Sequence, residues 1–325
     1  MSKYLIFRTD RIGDYIFSRV LTESIKMENK SNIIDFVCSS YNSKYVKNYR
    51  DIRKIYILDK RKLKLMIKNL FEINKIKYDY LIILDGKRRS FFFSIFLKSR
   101  NKIAILKDFR PYFLLKVFFN NYFINSEVNS QFDNFCNVIN FLNLKVPNKI
   151  EYYNSYNIKR INIELPKKYT LLHLDEKWFE GYYYSDFKYM NLNLSNFELL
   201  VETINKKFKK NIVITSGNLK IDKLEKIKDF YFKKLKKNIF VSKKSKKLVF
   251  IDNTEFRDLE FIVKGSSEII CCEGAISHVS NGFEKKTYAL IENLRTGKFW
   301  TSHMKNIKLL QRGSLNRICK QIKDI

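Results

Sequence analysis

A chain of 325 residues, 45% hydrophobic and 30% charged, carries enough apolar material for two ordinary domains or one large one. That excludes a peptide hormone, a disulfide-knotted miniprotein and a disordered polymer. The formal charge of +30, from 63 Lys and Arg against 33 Asp and Glu, brings nucleic acid, anionic membrane and phosphorylated substrates into view, although abundant Lys, Asn, Ile, Tyr and Phe is also what an A/T-rich genome writes into any protein.

The N-terminus MSKYLIFRTDRIGD carries Arg8, Asp10 and Arg11 too early for a signal peptide. Brief β-prone runs at Tyr4 to Phe7, Ile33 to Cys38, Ile55 to Leu58, Tyr80 to Leu84 and Ile103 to Leu106 predict strands, and Leu63, Met66, Ile67 and Leu70 recur at helical spacing between two of them. Strands alternating with helices predict a parallel, doubly wound sheet, with ligands at the carboxyl ends of its strands after Phe7, Cys38 and Leu84. The apolar stretches Phe91 to Leu97 and Tyr112 to Phe119 are too short to span a bilayer. A helix is expected near Phe132 to Leu144, and an interdomain connection between about Asn125 and Pro166. Alternation restarts at Tyr169 to Leu174. A helix opened by a Ser195/Glu198 capping box follows, then strands at Ile212 to Thr215, Leu248 to Ile251, Glu268 to Cys271 and Thr287 to Ile291, with a helix near Glu255 to Lys264 closed by Gly265. The Lys-rich runs Lys206 to Lys210 and Lys233 to Lys247 read as solvated faces on or beside surface helices. The expected organisation is α/β, with domains 1–160 and 161–325.

Three segments fall where such sheets present ligands. In Arg8 to Phe17, Gly13 would permit a tight turn and Asp14 would either act as a general base on a hydroxyl or complement the helix N-terminus, as would Asp10. The turn has neither GxGxxG nor GxxxxGK[ST], so nicotinamide and Walker-type readings lose. In His173 to Tyr184, Lys177 can reach a pyrophosphate and Trp178 can anchor the loop; the plain alternative is a surface lysine and a core aromatic. In Ile269 to Phe283, Glu273 can accept from sugar hydroxyls, and Gly274 and Ala275 let an anion approach a helix N-terminus. His278 can donate to a phosphate or a sugar, or be structural. Cys271 and Cys272 read as apolar strand filling. Five cysteines without CxxC spacing and three histidines exclude a zinc-type cluster and fit a reduced protein.

Taken in order, these segments resemble glycosyltransferase family nine, the ADP-heptose:lipopolysaccharide heptosyltransferases. RTDRIGD (Arg8 to Asp14) matches the family's R-x-D-x-[IL]-G-D. LLHLDEKW (Leu171 to Trp178) resembles its second motif and EGAISH (Glu273 to His278) its last, over nearly the full chain; Leu84 to Ser99 is reminiscent more weakly. The resemblance implies a GT-B fold, two Rossmann-like domains with parallel sheets facing across a cleft. It implies inverting, metal-independent transfer without a cofactor from a nucleoside-diphosphate sugar, ADP-heptose in the family, to a lipopolysaccharide-type or other cell-surface glycan. Asp14 would be the base, Arg11 and Gly13 would lie on the acceptor or phosphate side, and Lys177, Glu273, Gly274, Ala275 and His278 would hold the donor. The place implied is the cytoplasm or the inner face of its membrane, where the aromatic-basic stretch Arg88 to Lys98 meets anionic lipid or packs as an ordinary buried helix.

The chain departs from the family pattern mainly on the donor side. Glu273 replaces Asp, Ala275 replaces Gly, the Lys-to-Trp interval is one residue short, and the acidic residue expected soon after Thr215 has only Asp222 as a loose candidate. Two other readings stay open: a sugar-nucleotide binder without turnover, and a basic nucleic-acid binder, the latter without an RNP-type motif.

Overall fold

The computed structural model describes residues 1–106, 117–124, 130–147, 164–179 and 190–325. The chain divides into two compact units, Met1–Asn157 and Ile158–Ile325. The boundary expected at 160/161, half of the expected connection (residues 125–129 and 148–163), residues 112–116 and residues 180–184 lie outside the described residues.

In the first unit, β1 (Lys3–Arg8), α1 (Ile12–Glu28), β2 (Ile33–Cys38), α2 (Ser43–Val46), β3 (Lys54–Ile57), α3 (Leu63–Asn74), β4 (Tyr78–Ile83), α4 (Arg88–Ile95), β5 (Ser99–Leu106), β6 (Asn121–Ile124) and α5 (Gln131–Phe141) follow one another. The strands form one parallel sheet in the order β3-β2-β1-β4-β5-β6. The chain moves outward from β1 to β3, then returns to β4 on the other side of β1, so the order reverses between β1 and β4. At such a switch point the turns leaving two adjacent strands open a crevice at their carboxyl ends. Both β1 and β4 bury almost every residue of their carboxyl halves, as strands covered on both faces must.

One face of this sheet is covered by α3 and α4, whose Ile73, Phe91 and Phe93 pack with Leu5, Phe7, Leu81 and Ile83. Of the helical positions expected to be apolar, Met66 and Leu70 rest against this core, whereas Leu63 and Ile67 are exposed.

The second unit contains β7 (Tyr169–Leu174), a 3-10 turn (Glu176–Trp178), α6 (Leu194–Phe208), β8 (Asn211–Ser216), α7 (Asp222–Tyr231), β9 (Phe232–Lys236), β10 (Ile239–Ser242), β11 (Leu248–Ile251), α8 (Phe256–Gly265), β12 (Glu268–Cys272), α9 (Ala275–Gly282), β13 (Lys286–Ile291), α10 (Leu294–Thr301), β14 (Ile307–Gln311) and α11 (Leu315–Lys323). Its sheet runs β14-β13-β12-β7-β8-β11-β10-β9, parallel except for the β11-β10-β9 edge. Here the order reverses between β7 and β12.

Three expectations need correction. The lysines of 233–236 lie on β9, an antiparallel edge strand paired with β10, and not on a helix; exposed lysines are one way in which an edge strand resists pairing with another chain. The cap of α6 is Asn193, whose Oδ1 accepts from the N–H of Ser195 at 3.0 Å and of Asn196 at 3.3 Å. Glu198 is instead drawn to Lys244. Gly265 ends α8 without a left-handed φ; a Cβ there would lie 2.7 Å from the Tyr169 hydroxyl oxygen, so close packing and not helix termination requires the glycine.

Candidate functional site

At the β1/β4 switch point Arg8 organises the turns. Its side chain is 2% exposed. It donates from Nη1 to the Leu84 carbonyl at 2.7 Å and from Nε to the Asp14 carbonyl at 3.0 Å. Its guanidinium also lies 3.2 Å from Asp10 Oδ1 and 3.4 Å from Asp14 Oδ1. Asp14 is the third residue of α1, and its Oδ2 accepts from the Arg11 N–H at 3.3 Å. The carboxylate thus complements the helix N-terminus and remains partly exposed, so capping and reaction with a ligand are compatible in one side chain. Arg11, the N-cap residue, is exposed. Gly13 is buried inside the first turn of α1 with no left-handed φ, so it does not make the turn. The glycine that does so in this unit is Gly86, at φ 58° after β4.

Asp85, fully buried, binds the two turns together. Its Oδ2 accepts from the Thr9 N–H at 3.1 Å, the Thr9 hydroxyl at 2.6 Å and the Ser90 hydroxyl at 2.7 Å, while Oδ1 accepts from the Lys87 N–H at 3.1 Å. Lys87 Nζ and Arg89 Nη2 both donate to the Thr9 carbonyl, at 3.0 and 2.9 Å. The turn after Cys38 buttresses the same place, Asn42 Nδ2 donating to the Arg8 carbonyl at 2.8 Å. Burial pushes the Asp10 carboxyl up to about 6; the Arg8 guanidinium opposes this, and the negative charges of Asp14 and Asp85 add to it. Such crowding of like charges around a buried acid is common where proton chemistry is done.

At the β7/β12 switch point the second and third sequence segments meet. Asp175 caps the 3-10 turn by accepting from the Lys177 N–H at 3.1 Å. Trp178, with no exposed surface, donates from Nε1 to the His173 carbonyl at 3.0 Å and so fixes the turn to β7. His173 Nδ1 lies 3.0 Å from the Thr215 hydroxyl, and burial lowers its pKa to about 4. Lys177 is thereby aimed across to β12, where its Nζ donates to the Glu273 carbonyl. The next residue, Gly274, has φ +159°, and a Cβ on it would come 3.2 Å from Lys177 Nζ. Only glycine gives both the conformation and the clearance. Ala275 opens α9, and the Ser277 hydroxyl donates to the Gly274 carbonyl at 2.7 Å. A lysine and a glycine bend at a helix N-terminus in one place are suited to a phosphorylated ligand.

His278 is buried one turn into α9, its ring stacked 5.9 Å from that of His303. Burial and the neighbouring His278 lower His303 to about 3. Cys271 and Cys272 are buried in β12, and burial raises both thiols, as strand filling requires. The acidic group near the end of β8 is Asp252, which follows β11: its Oδ1 accepts from the Ser216 hydroxyl at 2.7 Å, and its other oxygen pairs with Lys228. Asp222 begins α7. Sequence spacing could not find Asp252, since β11 joins β8 only through the sheet; for Asp85, the signal was an acid directly after a strand beside the switch point.

The whole chain superposes on known enzymes. E. coli heptosyltransferase WaaC with ADP-2-deoxy-2-fluoro heptose matches over 99% of both chains at 12% identity and TM-score 0.70. The family 9 glycosyl transferase of Veillonella parvula matches over 100% of this chain and 93% of its own at 14% identity and TM-score 0.69. The fold is GT-B. It is shared with UDP-GlcNAc 2-epimerase of Methanocaldococcus jannaschii, at 12% identity and TM-score 0.56 over 100% and 92% of the chains. No protein-family model and no curated protein matches the chain.

Proposed function

We propose that this GT-B chain is an inverting, metal-independent glycosyltransferase that moves a heptose or related sugar from a nucleoside diphosphate to a hydroxyl of a lipopolysaccharide-type or other cell-surface glycan. The observation that carries the reading is the approach of Lys177 to the Glu273–Gly274 bend at the head of α9. Lysine charge and helix amides there would stabilise a diphosphate, both when bound and as it departs. Ala275 would let the phosphate come close, with Glu273 turned to sugar hydroxyls and His278 supporting the donor side from within α9. Asp14 would take the acceptor hydroxyl proton as that oxygen bonds to the anomeric carbon and the bond from that carbon to the diphosphate oxygen breaks. Arg8 would hold Asp14 in place, and Arg11 and the backbone at Gly13 would line the acceptor side.

The fold shared with 2-epimerases favours one alternative, in which the nucleotide sugar itself is the substrate and no acceptor is needed. A thermal-shift panel of nucleoside diphosphates and their sugars tests donor binding. Stabilisation by one nucleotide, lost in Lys177→Ala and kept in Asp14→Ala, is expected; no shift with any of them overturns the reading.

A further inference from the structure

Among the described residues β9 ends the sheet of the second unit, so its outer edge pairs with no strand. Residues 230–247, which run through β9, β10 and the loop after it, contain eight lysines, no arginine and no acid, and all eight lysines are exposed. The acids that approach from neighbouring elements are already engaged, Glu225 and Asp252 with Lys228 and Glu198 with Lys244. The register sets Ser242 opposite Phe232, and the Lys243 N–H donates to the Tyr231 carbonyl at 2.9 Å. The 243–247 loop therefore lies at the amino end of β9, with Lys236 and Lys237 at the carboxyl end and Lys233 and Lys234 between. Phe230, 59% exposed, stands beside that loop, because Lys243 Nζ donates to the Asp229 and Phe230 carbonyls at 2.8 and 2.9 Å.

The chemistry of this edge decides what it can hold. An added peptide strand is refused, because β9 is five residues long and its register against β10 shifts at Ile239/Phe240; short, irregular, lysine-lined edges resist strand addition. A second copy of the chain would bring the same lysines. A folded protein partner would meet few anchors, since protein interfaces are depleted in lysine, and seating on a bilayer needs an apolar face, whereas only Phe230 and Leu235 are large exposed apolar side chains in this segment. A row of lysine charges with an exposed aromatic ring at one end suits a single-stranded nucleic acid, whose phosphates follow the lysines while a base stacks on the ring. We infer that the β9 edge binds single-stranded nucleic acid through its backbone, without reading its sequence. This site stands independently of any transfer reaction.

Fluorescence anisotropy of the full chain with a labelled oligothymidylate of about 20 nucleotides tests it. Binding is expected, with log affinity falling linearly in log salt. Lys233→Gln, Lys234→Gln and Lys236→Gln together should reduce that slope by about 2, each phosphate contact on a single strand contributing about 0.7, and should weaken binding at least ~tenfold at about 0.1 M salt. Phe230→Ala should weaken it roughly fivefold or more. Lys298, Lys305 and Lys308 are exposed around β14, at the opposite edge of the same sheet; replacing all three by Gln removes the same charge and should leave affinity within about twofold. Calorimetric unfolding should be unchanged in every variant, because the altered side chains are exposed. Wild-type affinity after the β9 replacements overturns the proposal, and so does an equal loss in the two triple variants, which would make net charge the cause. Displacement by polyglutamate as effective as by unlabelled oligothymidylate also overturns it, by assigning the edge to an acidic protein.

Discussion

Replacing Asp10 by Asn tests how the β1/β4 turns are built. The Asp10 side chain is 9% exposed beside Arg8, and its pKa rises from 3.8 to about 6. Burial is the largest cause and outweighs the attraction of Arg8. The folded protein therefore holds this proton more tightly than the unfolded chain, and stability from Asp10 is present below pH 3.8 and is lost as pH rises through 6. Ionising a carboxyl that holds its proton up to about 6 in place of 3.8 makes charged Asp10 cost about 3 kcal/mol at pH 8. Asparagine resembles the protonated acid, and Arg8 keeps Asp14 and the Leu84 carbonyl. Asp10→Asn should therefore stabilise the first unit by about 2–3 kcal/mol at pH 8, a rise of about 4–12 °C in Tm, and by little near pH 4. Both tryptophans, Trp178 and Trp300, lie in the second unit, so calorimetry and not tryptophan emission is the assay. Equal destabilisation at both pH values would mean instead that the charged pair with Arg8 stabilises the fold.

Gly274→Ala places a methyl group against Lys177 Nζ in a conformation costly to any side chain; it should cost about 1–3 kcal/mol and weaken nucleoside-diphosphate affinity, read by titration calorimetry, by ~tenfold or more. Asp85→Ala leaves Thr9, Lys87 and Ser90 donors without their acceptor and should destabilise the first unit by roughly 3–5 kcal/mol; calorimetry showing less than about 1 kcal/mol would contradict that. His173 is kept neutral by burial, its pKa lowered to about 4, with His303 shifted in the same direction. The unfolded chain binds these protons first, so stability of the second unit should fall between pH 6.5 and 4. By pH 5 the His173 share is about 2 kcal/mol, measurable in urea from the emission of the two tryptophans, both of which lie in this unit.

The parallel cores were legible because fully buried strands appear as short apolar runs, and the ligand-facing turns after Phe7, Cys38 and Leu84 followed from the alternation of strands and helices, whereas the places where the strand order reverses needed the sheet itself. What local pattern could not supply was long-range pairing. Phe-Lys-Lys-Leu-Lys at 232–236 fits a helix continuing from α7 as well as an edge strand, and only its partner Ile239–Ser242 decides. Leu63 and Ile67 have core-like spacing yet face outward, since the sheet accepts only the Met66, Leu70 and Ile73 side of α3. The stretch Arg88 to Lys98 was divided in the same way, with Phe91 and Phe93 inside and Phe92 and Phe96 outside. Asp14, Lys177 and Glu273–Gly274 stood out because they follow strands. Asp85 and Asp252 act through partners far away in sequence.

Sugar transfer is tested by nucleoside-diphosphate release from a donor sugar with a lipopolysaccharide-type acceptor, with product identity read by NMR. An inverting transferase with Asp14 as base gives acceptor-dependent release and an inverted glycosidic linkage, with the rate falling about 10²–10⁴-fold in Asp14→Asn while donor affinity is kept. Acceptor-independent conversion of the donor into an epimeric nucleotide sugar, or turnover indifferent to Asp14→Asn, would contradict it.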